Sequence, residues 1–232
     1  MKKFLKVLAL VLVVAMMSVA FVACGGGKDP DPQPQPGPGG NDTPAAPVID
    51  SPITDAALKN VVGEGNLYVT AIGQSATTTV KNLLKRANWY VAEEAEGVAN
   101  AKIYTINNKL EASALQAGDT VIVILGTSGK GLGSAGVSQA DELARAQAIV
   151  AKAGVKVIAV HTGGKAYRGD SSDPIIEAVV PHALVALVVD SGDAESGNYD
   201  GLFTTLCGTQ VPLYTFSKSA NMVASITHLV NA

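Results

Sequence analysis

One stretch of the chain constrains the fold more than any other. Six residues from Thr120 to Leu125, one threonine and five aliphatics, run directly into glycine-rich residues ending at Gly136, and a helical pattern begins at Ser138. A short and continuous apolar run is typical of a strand that is covered on both faces. A strand that turns through glycines into a helix is the repeating unit of α/β sheets. The stretch therefore predicts a parallel sheet with helices on both sides.

The same alternation of strand and helix patterns extends from Leu67 to the end of the chain. Strands are predicted at Leu67–Ile72, Thr120–Leu125, Val155–Val160, Leu184–Val189 and Val211–Phe216. Helices are predicted at Thr77–Ala87, Ser138–Ala153, Pro174–Val180, Tyr199–Cys207 and Ser217–Val230. We expect a three-layer, doubly wound, mainly parallel α/β sheet of five or six strands.

The stretch from Trp89 to Gly118 has the weakest pattern. A further strand at Ala101–Ile106 and a short helix at Glu111–Gln116 are predicted there. Whether the strand order is flavodoxin-like or Rossmann-like depends on this stretch.

The helix that follows the glycine-rich residues has a clear start signal. Ser138 is predicted to cap it, and the two acids that follow in its first turn suit the positive end of the helix dipole. Its inward stripe is predicted to contain Leu143, Gln147 and Val150.

The first 23 residues predict a secretory signal peptide, because a short basic start precedes an apolar run that ends in small residues. The run ends Ala20-Phe-Val-Ala-Cys24, which resembles the lipobox of bacterial lipoproteins, with Phe21 in place of the usual leucine. The resemblance implies cleavage before Cys24 and acylation of its thiol, as with palmitate. The alternative is an uncleaved anchor helix, and both interpretations place the domain at the cell membrane, outside the cytoplasm.

Residues 24–50 are predicted to form a disordered linker, because alternating prolines and glycines offer almost no apolar surface to bury. Residues 51–232 are long enough for a single α/β domain. The formal net charge of −3 and the lack of a basic face argue against nucleic acid as a partner. Cys207 has no second cysteine left in the domain, so we expect a core residue rather than a disulfide.

Polar residues collect where the predicted strands end, and the carboxyl ends of parallel strands lie at one edge of a sheet. A ligand site is predicted at this edge, where the strand order reverses, between the three loops that follow Ile72, Leu125 and Val160. The candidate ligand-binding residues are Gln74, Ser75, Thr127, Ser128, Lys130, Gly131, His161, Arg168 and Asp170.

The glycine-rich stretch does not predict a nucleotide cofactor. Gly131 to Gly136 matches G-x-G-x-x-G, but it lies outside the first strand–helix unit and lacks the acid expected about 20 residues later. Leu132 stands where a P-loop needs lysine. The backbone N–H groups of residues 128–133, together with Lys130, favour a phosphate or carboxylate instead. We expect no cofactor.

His161 and the loop after it leave two interpretations open. His161 is either a hydrogen-bonded structural residue or a functional one, and a lone histidine does not indicate a metal site. Arg168 and Asp170 either order their own loop or, in the case of Arg168, pair with an acid of the ligand. One alternative function is therefore a hydrolase or transferase that uses His161 or Asp170 as a base. Another is a structural or interaction module of the cell envelope.

Several stretches together resemble an uncharacterised family of bacterial extracytoplasmic proteins, domain-of-unknown-function family 6305. They are Thr70–Ser75, Ser128–Gly133, Glu142–Arg145, His161–Gly164, Arg168–Asp173 and Asp200–Phe203. The resemblance extends from about Leu67 to the end of the chain. It implies an α/β domain and no known reaction, and it assigns no catalytic residue.

The leading hypothesis is a lipid-anchored, extracytoplasmic domain that binds a small anionic molecule at the carboxyl edge of the sheet. Lys130 and the glycine-loop amides are expected to bind the anion, and Gln74 and Ser75 to orient it. His161 and Arg168 are expected to contact a second polar group. The sequence does not identify which proteins the domain contacts.

Overall fold

The computed structural model describes residues 50–190, 198 and 200–231, and a six-stranded, wholly parallel sheet dominates this part of the chain. The strands are β1 (Leu67–Ile72), β2 (Trp89–Tyr90), β3 (Lys102–Ile103), β4 (Thr105–Ile106), β5 (Thr120–Leu125), β6 (Lys156–His161), β7 (Val185–Val189) and β8 (Leu213–Phe216). The predicted signal peptide, Cys24 and nearly all of the predicted linker lie outside the described residues.

The order of the main sheet is β4-β1-β5-β6-β7-β8. The chain leaves β1 toward β4 on one side and then crosses back to β5 on the other. This is the flavodoxin-like order 2-1-3-4-5 with a sixth strand added. The predicted α/β class is confirmed, and the strand order reverses at β1, between its neighbours β4 and β5.

Helices cover both faces of the sheet. They are α1 (Thr78–Arg86), α2 (Gly129–Ala135), α3 (Gln139–Val150), α4 (Asp173–Val179), α5 (Leu202–Cys207) and α6 (Val223–Val230). The first hydrophobic cluster contains residues of α1 and α6, and the second contains residues of α3, α4 and α5. None of the helices in the described part of the chain combines the length and the apolar character needed to cross a bilayer.

Strand β5 shows why the central strands are apolar throughout. Ile122 and Ile124 belong to the first cluster, whereas Val121, Val123 and Leu125 belong to the second. Because successive side chains point to opposite faces, a strand between two helical layers has no solvent-facing position.

The stretch with the weakest pattern differs from the prediction. Lys102–Ile103 pairs with Trp89–Tyr90 in a separate two-stranded sheet, whereas Thr105–Ile106 pairs with β1 in the main sheet. Tyr104 separates the two and is buried. One predicted strand is therefore two short ones, and the predicted helix at Glu111–Gln116 is a single 3-10 turn at Ala112–Ala114.

Helix α3 begins as predicted but buries a different face. Ser138 forms a capping box with Asp141. Gln147 is exposed, and the other two predicted inward residues are only half-buried. The buried residues are Glu142, Arg145, Ala146 and Ile149. The prediction was wrong because the inward face carries a charged pair that a hydrophobic pattern does not detect.

Other element boundaries also differ from the predictions. Part of the predicted glycine loop is helix α2, which Ser128 caps and which ends at Gly136 in a left-handed conformation with φ of 67°. The last helix is preceded by a 3-10 turn at Ser219–Met222. Cys207 is a free, buried thiol in the second cluster, as predicted, and burial raises its pKa to about 11.

Candidate functional site

The turn after β1 lies where the strand order reverses, and it is held in place from three sides. The Gly73 N–H donates to Oε2 of Glu142 over 2.7 Å, and the Gly73 carbonyl accepts from the Ser128 N–H over 2.8 Å. The side-chain Nε2 of Gln74 donates to the main-chain carbonyl of Asn108 over 2.8 Å. The turn is therefore fixed before any ligand arrives.

Two of the predicted residues meet in this turn through their backbones. Gln74 adopts a left-handed conformation with φ of 59°, which is uncommon for a residue other than glycine. It forms an isolated antiparallel bridge with Thr127. A Cβ at Gly131 would lie 2.3 Å from the Gln74 carbonyl oxygen, so only glycine allows α2 to approach the turn this closely. Gly131 thus contacts protein backbone.

A small cavity of about 140 Å³ opens at the ends of β1, β5 and β6. Its lining consists of Ser75, Ala76, Thr79, Ile124, Leu125, Thr162, Gly163 and Tyr167. It lies between the three loops at which the sequence predicts a site. Of the nine predicted residues, the lining contains Ser75.

Ser75 combines burial with an unused hydroxyl. Its residue is 6% exposed, and its Oγ has no hydrogen-bond partner among the residues that the structure describes. Helix α1 starts three residues later, at Thr78, and its N-cap residue, Thr77, makes no side-chain cap bond. The first turn of α1 carries no acidic residue. The cavity therefore adjoins a helix N-terminus that has free donors and no acidic side chain in its first turn.

The Tyr167 side chain packs so closely on Gly126 and Gly163 that a larger residue at either position would clash with it. A Cβ at Gly163 would lie 2.3 Å from the Tyr167 ring, and one at Gly126 would lie 2.9 Å from the Tyr167 Cβ. The two glycines after His161 have no side chain and so permit close approach to the backbone. The structure shows that the approaching group at Gly163 is a side chain of the same chain.

His161 is fully buried and contacts only protein on both sides of its ring. Nδ1 lies 3.1 Å from the Leu125 carbonyl and Nε2 lies 3.3 Å from the Gly164 carbonyl. The ring centroid is 5.2 Å from that of Phe203. Burial lowers the pKa of His161, and the two carbonyls, which favour protonation, do not offset it. A role as a base would require the surrounding loop to open.

Arg168 is a buried cation that binds two carboxylates, of which Asp173 is half-buried and Asp200 is exposed. Its guanidinium donates to both carboxylate oxygens of Asp173 and to both of Asp200, with shortest distances of 2.7 and 2.8 Å. Its Cζ lies 5.6 Å from the Phe203 ring centroid. These contacts connect the loop after β6 to the starts of α4 and α5.

The pKa values of Arg168 and Asp200 follow from the same contacts. Burial alone raises the pKa of Asp200, but hydrogen bonds from Arg168 and from the Leu202 N–H outweigh it and hold the pKa below its ordinary value. Burial lowers the pKa of Arg168, but the two carboxylates outweigh it and raise the pKa.

The remaining predicted residues lie in different surroundings. The Thr127 hydroxyl donates to the Ser171 carbonyl over 2.6 Å. The Ser128 hydroxyl accepts from the Gly131 N–H, which a bound anion would otherwise use. Lys130 is exposed on α2, and Asp170 is exposed, with its carbonyl accepting from the Gln139 amide. As ligand contacts, all nine residues stay predictions.

Sequence reasoning missed a buried ion pair beneath the turn. Arg145 donates to both carboxylate oxygens of Glu142 over 3.1 and 2.7 Å, and also to the Thr70 hydroxyl and the Ala71 carbonyl. Arg145 is 6% exposed and Glu142 is 2% exposed. The available signal was an acid and a base three residues apart on α3, which resembles an ordinary surface pair.

The comparisons with known proteins identify one family. A family model described as "Domain of unknown function (DUF6305)" matches residues 64–229, which is more than half of the chain. Neither a curated protein nor a solved structure matches.

Proposed function

Since the chain belongs to the family of the domain of unknown function DUF6305, whose description assigns no activity, we propose from geometry that it binds a small anionic molecule. The proposed site is the cavity of about 140 Å³ at the carboxyl edge of the sheet. The observation that carries the proposal is the Ser75 hydroxyl, which is buried without a partner where the strand order reverses.

The charge of the ligand is inferred from the start of α1. The first N–H groups of a helix are unpaired within the helix, and its dipole favours a negative charge there. Ser75 and Thr79 add two hydroxyl groups from the lining. Phosphate and carboxylate groups accept several such bonds at once.

The size of the cavity limits the ligand to a small one. Pockets for drug-sized molecules measure about 300–1,000 Å³, more than twice the volume available here. A carboxylic acid of a few carbons or a phosphate fits better than a nucleotide. Because the turn after β1 is already held by Glu142 and Ser128, binding requires little ordering of the protein.

The proposal is tested by thermal-shift titration of the full chain with phosphate, acetate, glycolate and succinate at constant ionic strength. A hydrogen bond to a charged group contributes about 1.5–3 kcal/mol. Ser75→Ala should therefore weaken binding by about ten-fold or more. The variant should fold, because the hydroxyl that it removes has no partner within the described residues.

Lys130→Ala serves as the matched control, because Lys130 is exposed on α2. A ligand shift that is lost in Ser75→Ala and kept in Lys130→Ala supports the cavity. Loss in Lys130→Ala alone assigns the anion to α2 and rejects the cavity. The absence of a shift with all four anions rejects anion binding.

We also propose that the domain is anchored to the membrane by acylated Cys24 and faces outside the cytoplasm. The support is the lipobox-like stretch that ends at Cys24, preceded by an apolar run and followed by a linker rich in proline. Acyl chains contribute about 0.8 kcal/mol per buried CH₂, so two or three chains give stable attachment.

Metabolic labelling with a clickable palmitate analogue tests the anchor. Labelling and partition into the detergent phase should be lost in Cys24→Ser. They should be kept in Cys207→Ser, which alters the other cysteine. Labelling that persists in Cys24→Ser contradicts the proposal.

A further inference from the structure

A second and larger cleft lies beside the first turn of α1. Its volume is about 540 Å³. Three parts of the chain form it: the start of α1, the segment after β2, and the two short strands β3 and β4. Its lining consists of Thr77, Thr78, Lys81, Val91, Ala92, Glu93, Ile103, Tyr104, Thr105 and Ile106.

Tyr104 supplies an unused polar group in this cleft. The residue is 2% exposed, and its hydroxyl lacks a hydrogen-bond partner within the described ranges. Burial raises the pKa of Tyr104 to about 12, and the nearby Glu94 carboxylate adds to the effect. The phenol therefore stays protonated and available as a donor at physiological pH. A buried hydroxyl without a partner is costly, and a ligand acceptor would relieve that cost.

The same cleft has an apolar side. Ile103 is 49% exposed, and it is the one large hydrophobic residue classed as exposed within the described part of the chain. Val91 and Ile106 are half-buried and pack against the first cluster. Residues with hydroxyl groups and apolar residues thus line the same cleft.

The charges around the cleft balance one another and do not favour an anion. Lys81 is the basic residue of the lining, and its ammonium lies 2.5 Å from Glu94. Lys85 lies 2.8 Å from the other oxygen of Glu94. Glu93 is exposed in the lining and adds a negative charge. Two lysines and two glutamates sum to no net charge, so an anion placed here would lose hydration without a net electrostatic attraction in return.

We propose that this cleft is a second ligand site, for a neutral molecule with one apolar face and a hydroxyl or amide group on the other. The apolar face packs on Ile103 and Ile106. The polar group accepts from the Tyr104 hydroxyl and contacts the hydroxyls of Thr77 and Thr78. The volume falls within the range of small-molecule pockets. This site does not depend on the anion cavity.

Saturation-transfer NMR with the full chain tests the proposal, with benzamide, phenol and cyclohexanol as neutral probes. Benzoate has the ring of benzamide and an anionic group in place of the amide. We expect the neutral probes to bind and benzoate to bind more weakly. Tyr104→Phe removes one hydrogen bond and should weaken benzamide binding by about two- to ten-fold.

Tyr68→Phe is the matched control, because Tyr68 is a half-buried tyrosine that packs against the second cluster. It should leave benzamide binding unchanged. Without a ligand, Tyr104→Phe should have an unfolding midpoint equal to or above that of the parent chain, so a loss of binding does not reflect unfolding. Ser75→Ala should also leave benzamide binding unchanged, which separates this site from the anion cavity.

Three results overturn the proposal. They are no binding of any neutral probe, binding that is insensitive to Tyr104→Phe, and binding of benzoate as tight as that of benzamide with the same sensitivity. Loss of benzamide binding in Tyr104→Phe alone supports it.

Discussion

Replacing Arg145 with methionine tests the idea that a buried ion pair holds the turn after β1. The change keeps an unbranched apolar stem and removes the guanidinium with its five hydrogen-bond donors. The donors now contact the Glu142 carboxylate, the Thr70 hydroxyl, and the carbonyls of Ala71 and Leu110. In Arg145→Met, the Glu142 carboxylate retains its hydrogen bond from the Gly73 N–H, which measures 2.7 Å in the structure, and loses those from Arg145.

The expected loss is large because both charges are buried. Arg145 is 6% exposed and Glu142 is 2% exposed, so water screens the pair very little. Breaking a buried pair by removing one partner costs about 3–5 kcal/mol. Domains of this size have unfolding free energies of about 5–15 kcal/mol. Arg145→Met should therefore remove at least about a fifth of the stability.

The double variant Glu142→Leu with Arg145→Met separates the charge from the packing. It removes both charges and leaves the Gly73 N–H without its acceptor, at a cost of about 1–3 kcal/mol. We expect the double variant to be more stable than Arg145→Met alone, with a coupling energy of on the order of 1–3 kcal/mol.

Equilibrium unfolding in urea, followed by circular dichroism, measures these free energies. Gln147→Met is the matched control, since Gln147 is exposed on the same helix and the change should cost under about 0.5 kcal/mol. The reasoning is refuted if Arg145→Met loses less than about 1 kcal/mol, or if the double variant is the less stable of the two.

Two further predictions concern the loop after β6. The folded-state pKa of His161 lies below its ordinary value of 6.5. Because the unfolded chain binds this proton more tightly, the contribution of His161 to stability is complete above about pH 6.5. It is lost as the pH falls toward the folded-state pKa. As the pH is lowered from about 8 to about 5, the urea midpoint of the parent chain should fall more steeply than that of His161→Phe. Equal slopes for the two proteins would contradict this. Gly163→Ala places a Cβ 2.3 Å from the Tyr167 ring and should cost about 1–3 kcal/mol. Adding Tyr167→Ala should then restore part of that loss in the same assay, and no recovery would show that the clash is not the cause.

The main strands were predictable because they are covered on both faces. Five residues of β5 are aliphatic, and all six are buried. Because both faces of the strand are covered, nearly every position is apolar, and this continuous apolar run can be recognised in the sequence. Ser138 was predictable because the unpaired N–H groups at a helix start favour a residue with a side-chain acceptor at the N-cap.

The sequence predicted the position of the candidate site but not the residues that line it. The carboxyl ends of parallel strands must share an edge, so the cavity at β1, β5 and β6 falls where the predicted strands end. Which side chains face it depends on rotamers and loop paths that no local pattern encodes. Thr79, Thr162 and Tyr167 line the cavity although none was among the predicted residues, whereas the predicted Arg168 turns to two aspartates.

The order of β-type and helical patterns by itself determined that this protein is an α/β domain with a parallel sheet, because apolar periodicity follows from burial of each local element. Tertiary structure alone decided that β4 lies beside β1, that Tyr104 interrupts a strand, and that Glu142 and Arg145 face inward. These features arise from contacts between residues far apart in the chain. Such contacts are decided by the free energy of the whole packed molecule, which a local pattern of residues does not contain.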